Sequence, residues 1–337
     1  VNSFGRIFKV EIFGESHGSK VGVMIDGCPP GIPLSTGDLE IDLARRRSGR
    51  EGTTPRRESD APAILSGLFN GKTTGSPICI TFDNADTQSH DYDQFSAVPR
   101  PGHADVTSRI KYGGYSDPRG SGHFSGRITV GLVAAGTIAK KIIPEALFTT
   151  RIVSAGGRTD IDRVIAEAGE DADSVGALVE INVSGLAAGL GEPFFDSCES
   201  VISHAVFAVP AVRGIEFGDG FLAASMKGSE HNDPFIDLQG HTAKNGAGGI
   251  NGGITNGNEL VMRIAVKPTS SISKMQTTFN FKEGKMQPLT IEGRHDACIA
   301  LRSQVVLESA VAISLADLAL TRKATEGNNI IQFRRNR

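Results

Sequence analysis

Apolar and charged residues alternate from Ile7 to Phe13, the period-two pattern of a half-buried strand. The run ends in a polar turn, Gly14-Glu15-Ser16-His17-Gly18, and Val21-Gly22-Val23-Met24-Ile25 follows as a second strand. Cys28-Pro29-Pro30-Gly31 turns the chain again. Ser35 or Thr36 is placed to cap a helix that runs through Asp38, Leu39 and Leu43 to Arg47. Ala63 to Gly67 and Pro77 to Phe82 predict two more strands, and a polar stretch runs from Asn84 to Tyr115. From Arg127 to Phe148 the pattern changes to a helix with hardly any polar face, through Ile128, Val130, Leu132, Val133, Ile138 and Ile142. A helix apolar all round is buried on most sides, which predicts sheet on more than one side of it.

Val179 to Val183 alternates as a strand, and Ser200 to Val209 has a helical apolar face at Ile202, Ala205, Val206 and Val209. Gly214 to Phe217 and Ala223 to Met226 predict strands, and residues 228–258 form a long Gly/Asn-rich stretch of little periodicity. Stretches of that length without structure are uncommon and usually functional or disordered. Leu260 to Val266 predicts a strand, and Ile299 to Leu320 a second long apolar helix. No Pro/Ser-rich linker divides the chain, so one large domain over residues 1–320 is expected, with a polar, basic tail over 321–337.

Composition narrows the function classes. With 39% hydrophobic and 22% charged residues among 337, the chain reads as soluble and globular, with enough length for a large core. Net charge is −3 and aromatic residues are sparse, with no Trp, so neither a basic field nor a stacking surface argues for nucleic acid. Cys28, Cys79, Cys198 and Cys298 are scattered and form no C-x-x-C pair, so neither a metal site nor a disulfide framework is expected. Reduced thiols, the lack of a signal-peptide core at the start and the lack of an apolar run of about 18 residues predict a cytoplasmic protein without membrane partners. The 41 glycines gather in loops beside polar residues, as a ligand cradle requires.

Five glycine-rich segments carry reactive side chains. The first is the 14–18 turn, where Ser16 and His17 sit at a strand end; a surface turn with a bystander histidine is the competing reading. The second is the arginine cluster from Arg45 to Arg57. Successive helical residues point about 100° apart, so Arg45, Arg46 and Arg47 cannot share one ligand, whereas Arg46 and Arg50 share a side if the helical turn persists through Gly49. The cluster reads either as a solvated basic patch or as a site for an anionic substrate, since guanidinium matches carboxylate and phosphate. Arg100-Pro101-Gly102-His103-Ala104-Asp105 is the third segment, and Gly120 to Arg127 the fourth. Its glycine spacing differs from a dinucleotide fingerprint and no strand precedes it, but an anion at the following helix N-terminus is physically reasonable. The fifth is Gly293-Arg294-His295-Asp296, where Asp296 either caps the last helix or serves proton transfer. Lys267-Pro268-Thr269-Ser270-Ser271 adds a hydroxyl-rich loop at a strand end.

Taken together, these segments resemble the chorismate synthase family. The resemblance rests on Gly14 to Gly18 with Asp26-Gly27 and Pro29 to Pro33 behind it, on Asp42-Leu43-x-Arg45-Arg46-Arg47, and on Arg100 to Asp105. It continues in Gly185-Leu186-x-x-Gly189-Leu190-Gly191-Glu192-Pro193, Ala247 to Ile254, Lys267 to Ser271 and Gly293 to Asp296, in family order over nearly the whole chain. One segment departs. Where the family usually has Gly-Arg-Ser-Ser-Ala-Arg-Glu-Thr, this chain has Gly122-His123-Phe124-Ser125-Gly126-Arg127-Ile128-Thr129.

The resemblance implies an α+β fold, a layered β-α-β sandwich with long buried helices between antiparallel sheets, assembled as a homotetramer. It implies a lyase of the shikimate pathway that removes phosphate from 5-enolpyruvylshikimate 3-phosphate by anti-1,4-elimination. The reaction needs reduced FMN without net redox change, and NADPH enters only as a flavin reductant. By the same resemblance His17 serves the departing phosphate and His103 the anionic reduced flavin, while Asp296 relays the ring proton through flavin N5. Arg46, Arg50 and Arg127 contact substrate anions, Arg46 and Arg50 at positions also linked to NADP. The flavin is lined by His123, Phe124, Ser125, Pro210, Ala211, Gly252, Lys267, Pro268, Thr269, Ser270, Ser271 and Arg294. A flavin reductase and a non-catalytic anion-binding protein remain as rival readings of the same cradle.

Overall fold

The N-terminal alternation builds one sheet edge after another. In the computed structural model, which describes residues 1–49, 51–54, 58–85, 94–293 and 295–325, β1 (Ser3–Phe4), β2 (Lys9–Gly14) and β3 (Lys20–Asp26) lead into α1 (Thr36–Arg46). Ser35 caps α1 in a capping box, with its side chain bound to the Asp38 N–H and the Asp38 carboxylate bound back to the Ser35 N–H. After α1 come β4 (Ala63–Ile64), a small hairpin of β5 (Leu68–Phe69) and β6 (Lys72–Thr73), and β7 (Ile78–Asp83). Next are α2 (Asp105–Lys111), α3 (Thr129–Ile142), β8 (Leu147–Ala155), α4 (Ile161–Glu170) and β9 (Ala177–Ser184). The second half adds α5 (Cys198–Phe207), β10 (Val212–Phe217), α6 (Gly228–His231), β11 (Ile250–Asn251) and β12 (Ile254–Thr255). It closes with β13 (Leu260–Val266), the hairpin of β14 (Gln276–Asn280) and β15 (Lys285–Leu289), and α7 (Ala300–Thr325).

Two antiparallel sheets form the outer layers. One has the order β1-β2-β3-β7-β4 and the other β10-β13-β9-β8. Between them α3 lies on β3 and α7 lies on β8 and β9, with α1 against both helices and α5 against α7. This is the expected β-α-β sandwich. Small residues set the layer spacing. A Cβ on Gly131 of α3 would come within 3.0 Å of the Gly22 carbonyl of β3, and one on Gly136 would sit 2.3 Å from Ser309 Cβ of α7. Larger residues at either glycine would push a helix off its neighbour. By length and hydropathy α7 is able to cross a membrane, yet 83% of its apolar window is buried inside the protein. Its apolar character goes into the core between the sheets.

Several expectations are corrected. The helix expected over 127–148 stops at Ile142, because Pro144 lacks an N–H and disfavours helical backbone in Ile143 before it. Leu147 and Phe148 instead open β8. The strand expected over Ala223–Met226 is a 3-10 turn, Gly220–Ser225, started by Gly220 at φ +52°. The polar stretch contains α2, a short helix without a buried residue and so without an apolar stripe to read. The 228–258 stretch is organised by side chains: Asp233 accepts from Gly246 N and Ala247 N at 2.8 and 2.9 Å, and Asn245 Oδ1 accepts from Gly249 N at 2.8 Å. The last helix begins at Ala300 and continues five residues into the expected tail, to Thr325.

Candidate active site

A cavity of about 1000 Å³ opens between the end of β2, the approach to α3 and the approach to α7. All five reactive segments contribute to its wall, together with residues 267–271. The site therefore assembles where loops from both sheets meet the starts of the two core helices.

His17 hangs on the turn after β2. Gly14 takes φ +99°, and a Cβ there would lie 2.6 Å from the Lys20 carbonyl, so glycine is required. Gly18 at the other end of the turn has no left-handed φ, so within this turn the left-handed backbone falls on Gly14. The Asn84 amide fastens the far side of the turn, donating to the carbonyls of Glu15 and Gly18 at 3.0 and 2.8 Å. Ser16 is fully buried and accepts from Ser125 Oγ at 3.2 Å.

His103 is oriented by an ionic clamp. Arg100 grips Asp105 with Nε–Oδ2 2.9 Å and Nη2–Oδ1 2.6 Å, and His103 Nδ1 lies 2.8 Å from Asp105 Oδ1. Arg100 Nη2, a donor only, also lies 3.1 Å from Nδ1, so that ring nitrogen sits between the guanidinium and the carboxylate, and Nε2 faces Ser121 Oγ at 3.3 Å. Burial raises the Asp105 carboxyl, but hydrogen bonds from Arg100 and His103 outweigh it and hold the group well below the usual carboxylate range. Arg100 also stacks over Phe95, 4.5 Å from the ring centre.

The three adjacent arginines have three destinations. Arg45 reaches Glu308 and Asp42, Arg47 reaches Glu40, and Arg46 turns inward. Arg46 donates to Asp60 Oδ2 at 2.8 Å, to Thr129 Oγ1 at 3.2 Å, and to the carbonyls of Gly126 and Arg127. Arg127 pairs with the other oxygen of Asp60 and donates to Asn84 Oδ1 at 2.8 Å and Asp83 O at 3.0 Å. Both expected anion contacts thus line the cavity while sharing one carboxylate. Burial, with Arg302 and Arg127 pushing the same way against Asp60, lowers Arg46 to about 10, which leaves it charged at neutral pH. Two guanidiniums on one carboxylate leave a net positive charge under the cavity floor. The helix ends at Arg46 and Gly49 takes φ +120°, so the helical route by which Arg46 and Arg50 would share a side is broken. Arg50 and Arg294 lie outside the described residues.

Asp296 is not a helix cap. Its Oδ1 accepts from Thr54 N at 2.9 Å and Arg302 Nε at 3.0 Å, and its Oδ2 accepts from Arg302 Nη2 at 2.7 Å. Oδ2 keeps a lone pair beyond that bond. His295 beside it is held below the usual imidazole range by burial, with Arg100 acting in the same direction.

The expected cofactor wall divides. His123, Phe124, Ser125, Pro210, Ala211 and residues 267–271 line the cavity, whereas Gly252 does not; it sits in the β11–β12 turn at φ +62°. Lys267 Nζ donates to Gly102 O at 2.7 Å and Ser270 Oγ at 2.5 Å, and Thr269 Oγ1 is buried with no partner among the described residues. Arg213 was not expected. It is the extra residue of a bulge between Val212 and Gly214 in the β10–β13 ladder, and the bulge aims it at the cavity beside Lys267. Burial and the Arg213 charge both lower Lys267. No carboxylate pairs with Arg213 among the described residues. A cation pair, an orphan hydroxyl and a roomy wall fit a phosphate-bearing planar cofactor.

The chain matches known proteins over most of its length. Residues 8–156 and 148–320 match the family model described as chorismate synthase. A chorismate synthase of Chitinophaga pinensis is 57% identical over 321 residues, covering 95% of this chain and 97% of the relative. One from Dehalococcoides mccartyi is 44% identical over 354 residues (95% and 96% covered), and one from Thermococcus gammatolerans 42% over 351 (96% and 99%). A crystal structure of chorismate synthase shares the fold at a TM-score of 0.72 and 25% identity, covering 94% of this chain and 93% of that one.

Proposed function

The chain belongs to the chorismate synthase family, and from that premise we propose how its cleft carries the family's reaction. The enzyme is a lyase that converts 5-enolpyruvylshikimate 3-phosphate to chorismate. In this step a ring C–H bond and the C–O bond to phosphate break, the C–H electron pair enters the new diene, and phosphate leaves with the C–O pair. No net oxidation occurs.

The substrate carries a phosphate and two carboxylates, and the positive surplus at Arg46, Arg127 and Asp60 draws these anions into the cleft. His17, at the end of β2, donates a proton or hydrogen bond to the departing phosphate; a positioned general acid contributes roughly 10²- to 10⁴-fold. The free lone pair on Asp296 Oδ2 receives the ring proton, while Arg302 keeps that carboxylate aimed. His103, fixed by Asp105, presents Nε2 to the cofactor side of the cavity. Lys267, Arg213, Thr269 and Ser270 would hold the phosphate end of FMN; by resemblance Arg294 also lines the flavin, and Arg50 contacts substrate anions at a position linked to NADP. Reduced FMN supplies an electron-rich ring that stabilises charge developing in the eliminating substrate, and NADPH serves only to reduce it.

Two coarser assignments accompany this reading. The free thiols suit a reducing cytoplasm; burial pushes Cys28 up to about 11 and Cys198 up to about 12, which keeps both protonated. Large apolar side chains stand exposed at Phe194, Phe195, Phe221, Leu222, Phe235 and Leu238. Burying them against further copies of the chain favours a homotetramer.

The site assignment rests most on the convergence of His17, His103 and Asp296 on one cavity. Anaerobic incubation with photoreduced FMN and substrate tests it. Phosphate release matched to chorismate without flavin oxidation is expected. Flavin oxidation in step with product would make the protein a reductase, and binding without turnover a non-catalytic anion binder. His17→Ala should lower turnover at least 100-fold; turnover within a few fold of wild type would remove His17 from the mechanism.

A further inference from the structure

The one segment where the chain leaves its family's usual wording is tied directly to the turn that carries His17. His123 Nδ1 lies 2.8 Å from the Gly14 carbonyl. A carbonyl only accepts, so Nδ1 carries the hydrogen. In the opposite direction Ser16 N donates to the Gly122 carbonyl at 3.0 Å. Two hydrogen bonds therefore cross between residues 14–16 and 122–123, on either side of Glu15. The same loop supplies a steric stop: a Cβ on Gly120 would lie 2.4 Å from His17 Cδ2 and 2.9 Å from Ser16 Oγ, so the imidazole rests on the Gly120 backbone. On its far side His123 Nε2 lies 3.2 Å from Asn2 Oδ1, and the Asn2 carbonyl accepts from Ile12 N at 3.0 Å. His123 thus ties the loop before α3 to the end of β2, at the residue that starts the turn carrying His17.

We propose that His123 is a positioning residue for His17, holding the Gly14 carbonyl so that the following turn keeps the imidazole against Gly120 and toward the cleft. The inference rests on the reading of His17 as the group that serves the departing phosphate. Gly14 ends β2 opposite Val21 at φ +99° and has no side chain to anchor the turn that follows, so a hydrogen bond on its carbonyl adds to what fixes that peptide. The family's usual arginine at this position brings a delocalised charge; histidine brings a short, directional donor. A misplacement of about 1 Å at a reacting group costs on the order of 10²-fold in rate, so the effect belongs in kcat rather than in binding.

Three variants test this in the intact enzyme with saturating reduced FMN. His123→Leu should lower kcat measured at saturating reduced FMN about 10- to 100-fold, with substrate KM within about threefold of wild type. His123→Asn, whose amide nitrogen occupies the Nδ1 place, should recover kcat to within about fivefold; His123→Gln, whose amide reaches the Nε2 place, should not. Unchanged kcat in His123→Leu overturns the proposal, as does equal recovery by Asn and Gln, which remains readable where the Leu variant fails to fold. A lowered FMN affinity with normal kcat at saturation also overturns it, because His123 would then line the cofactor only. His17→Ala is the separate control. If it keeps turnover, the reading of His17 fails first; if it loses turnover while His123→Leu does not, only the positioning role fails.

Discussion

Two ion clusters, each built on buried carboxylates, lie one residue apart in the chain and differ in charge count. Between α1, α3, α7 and β8, Arg45 and Lys140 meet Asp42 and Glu308: Arg45 reaches Glu308 at 2.7 Å and Asp42 at 2.9 Å, and Lys140 reaches the same two at 2.6 and 2.7 Å. Two cations face two carboxylates, and Thr150 and Thr137 add hydroxyl donors. At the cleft, Arg46 and Arg127 face Asp60 as their one carboxylate among the described residues. Residue types are alike and the carboxylates are buried in both, while the cations are more exposed in the first cluster (39% and 21% of the Arg45 and Lys140 side chains, against 7% and 3% for Arg46 and Arg127), so neither residue type nor carboxylate burial separates a structural cluster from a functional one. The charge balance does. The first cluster cancels itself and ties helices together; the second keeps a surplus positive charge at the cavity wall, which is what a substrate with three anionic groups needs.

Unbalancing the first cluster gives the largest expected effect. Glu308→Gln leaves Arg45 and Lys140 over a single carboxylate, which makes this cluster resemble the one at the cleft. Breaking such a buried set costs about 3–5 kcal/mol, to be read by denaturant unfolding, while kcat/KM per folded molecule stays at the wild-type value. Acid gives the same answer with a defined sign. Burial raises Glu308, but Arg45, Lys140 and Thr150 outweigh it and bring it from 4.5 down to about 2. A folded-state value below the unfolded one means that the unfolded chain binds more protons in this window. The contribution, roughly 3 kcal/mol, is complete above about pH 4.5 and is lost as pH falls toward 2. Glu308→Gln should flatten that part of the stability profile; an unchanged profile would show that Glu308 is not what acid titrates.

Balancing the second cluster is the complementary experiment. Arg127→Gln leaves one guanidinium on one carboxylate, a neutral pair that the interior tolerates. Stability should shift by less than Glu308→Gln shifts it, while KM for the substrate rises about 100-fold, near 2.7 kcal/mol. A large loss of stability with an unchanged KM would make the cleft cluster a structural one and erase the contrast.

The sequence pattern carries the layers better than it carries this contrast. The alternation of β2, the capping box at Ser35 and the all-apolar character of α3 and α7 are local, and they lead to the buried-helix sandwich without tertiary information. The end of α3 was also local, written in Pro144, but it is lost when apolar content alone is followed into Leu147 and Phe148. The site was legible as a set of glycine-rich segments because each brings its own reactive side chain. Its partners were not. Asp60 lies 14 residues from Arg46 and 67 from Arg127, and no periodicity links the three. Arg302 meets Asp296 six residues on, a spacing that only the turn before α7 turns into a contact. Arg213 was hidden for a different reason: a bulge leaves the strand pattern intact while changing where one side chain points.

That last residue extends the comparison from the interior to the rim, where the expected effect is smallest. Lys267 and Arg213 form a third positive pair, with no carboxylate between them among the described residues, and solvent reaches Arg213. Water and salt screen exposed charges, so such a pair contributes only about 0.2–1 kcal/mol to an anion's binding. Arg213→Gln should therefore weaken FMN binding about two- to fivefold and leave riboflavin, which lacks the phosphate, unaffected. The difference should shrink between 0.1 and 1 M salt, as the screening length falls from about 10 to 3 Å. The buried surplus at Asp60 lies under the cavity floor, so the substrate penalty of Arg127→Gln should persist at the same high salt. If FMN and riboflavin weaken alike, Arg213 shapes the wall rather than binding phosphate; if both penalties vanish with salt, burial makes no distinction between the two positive sites.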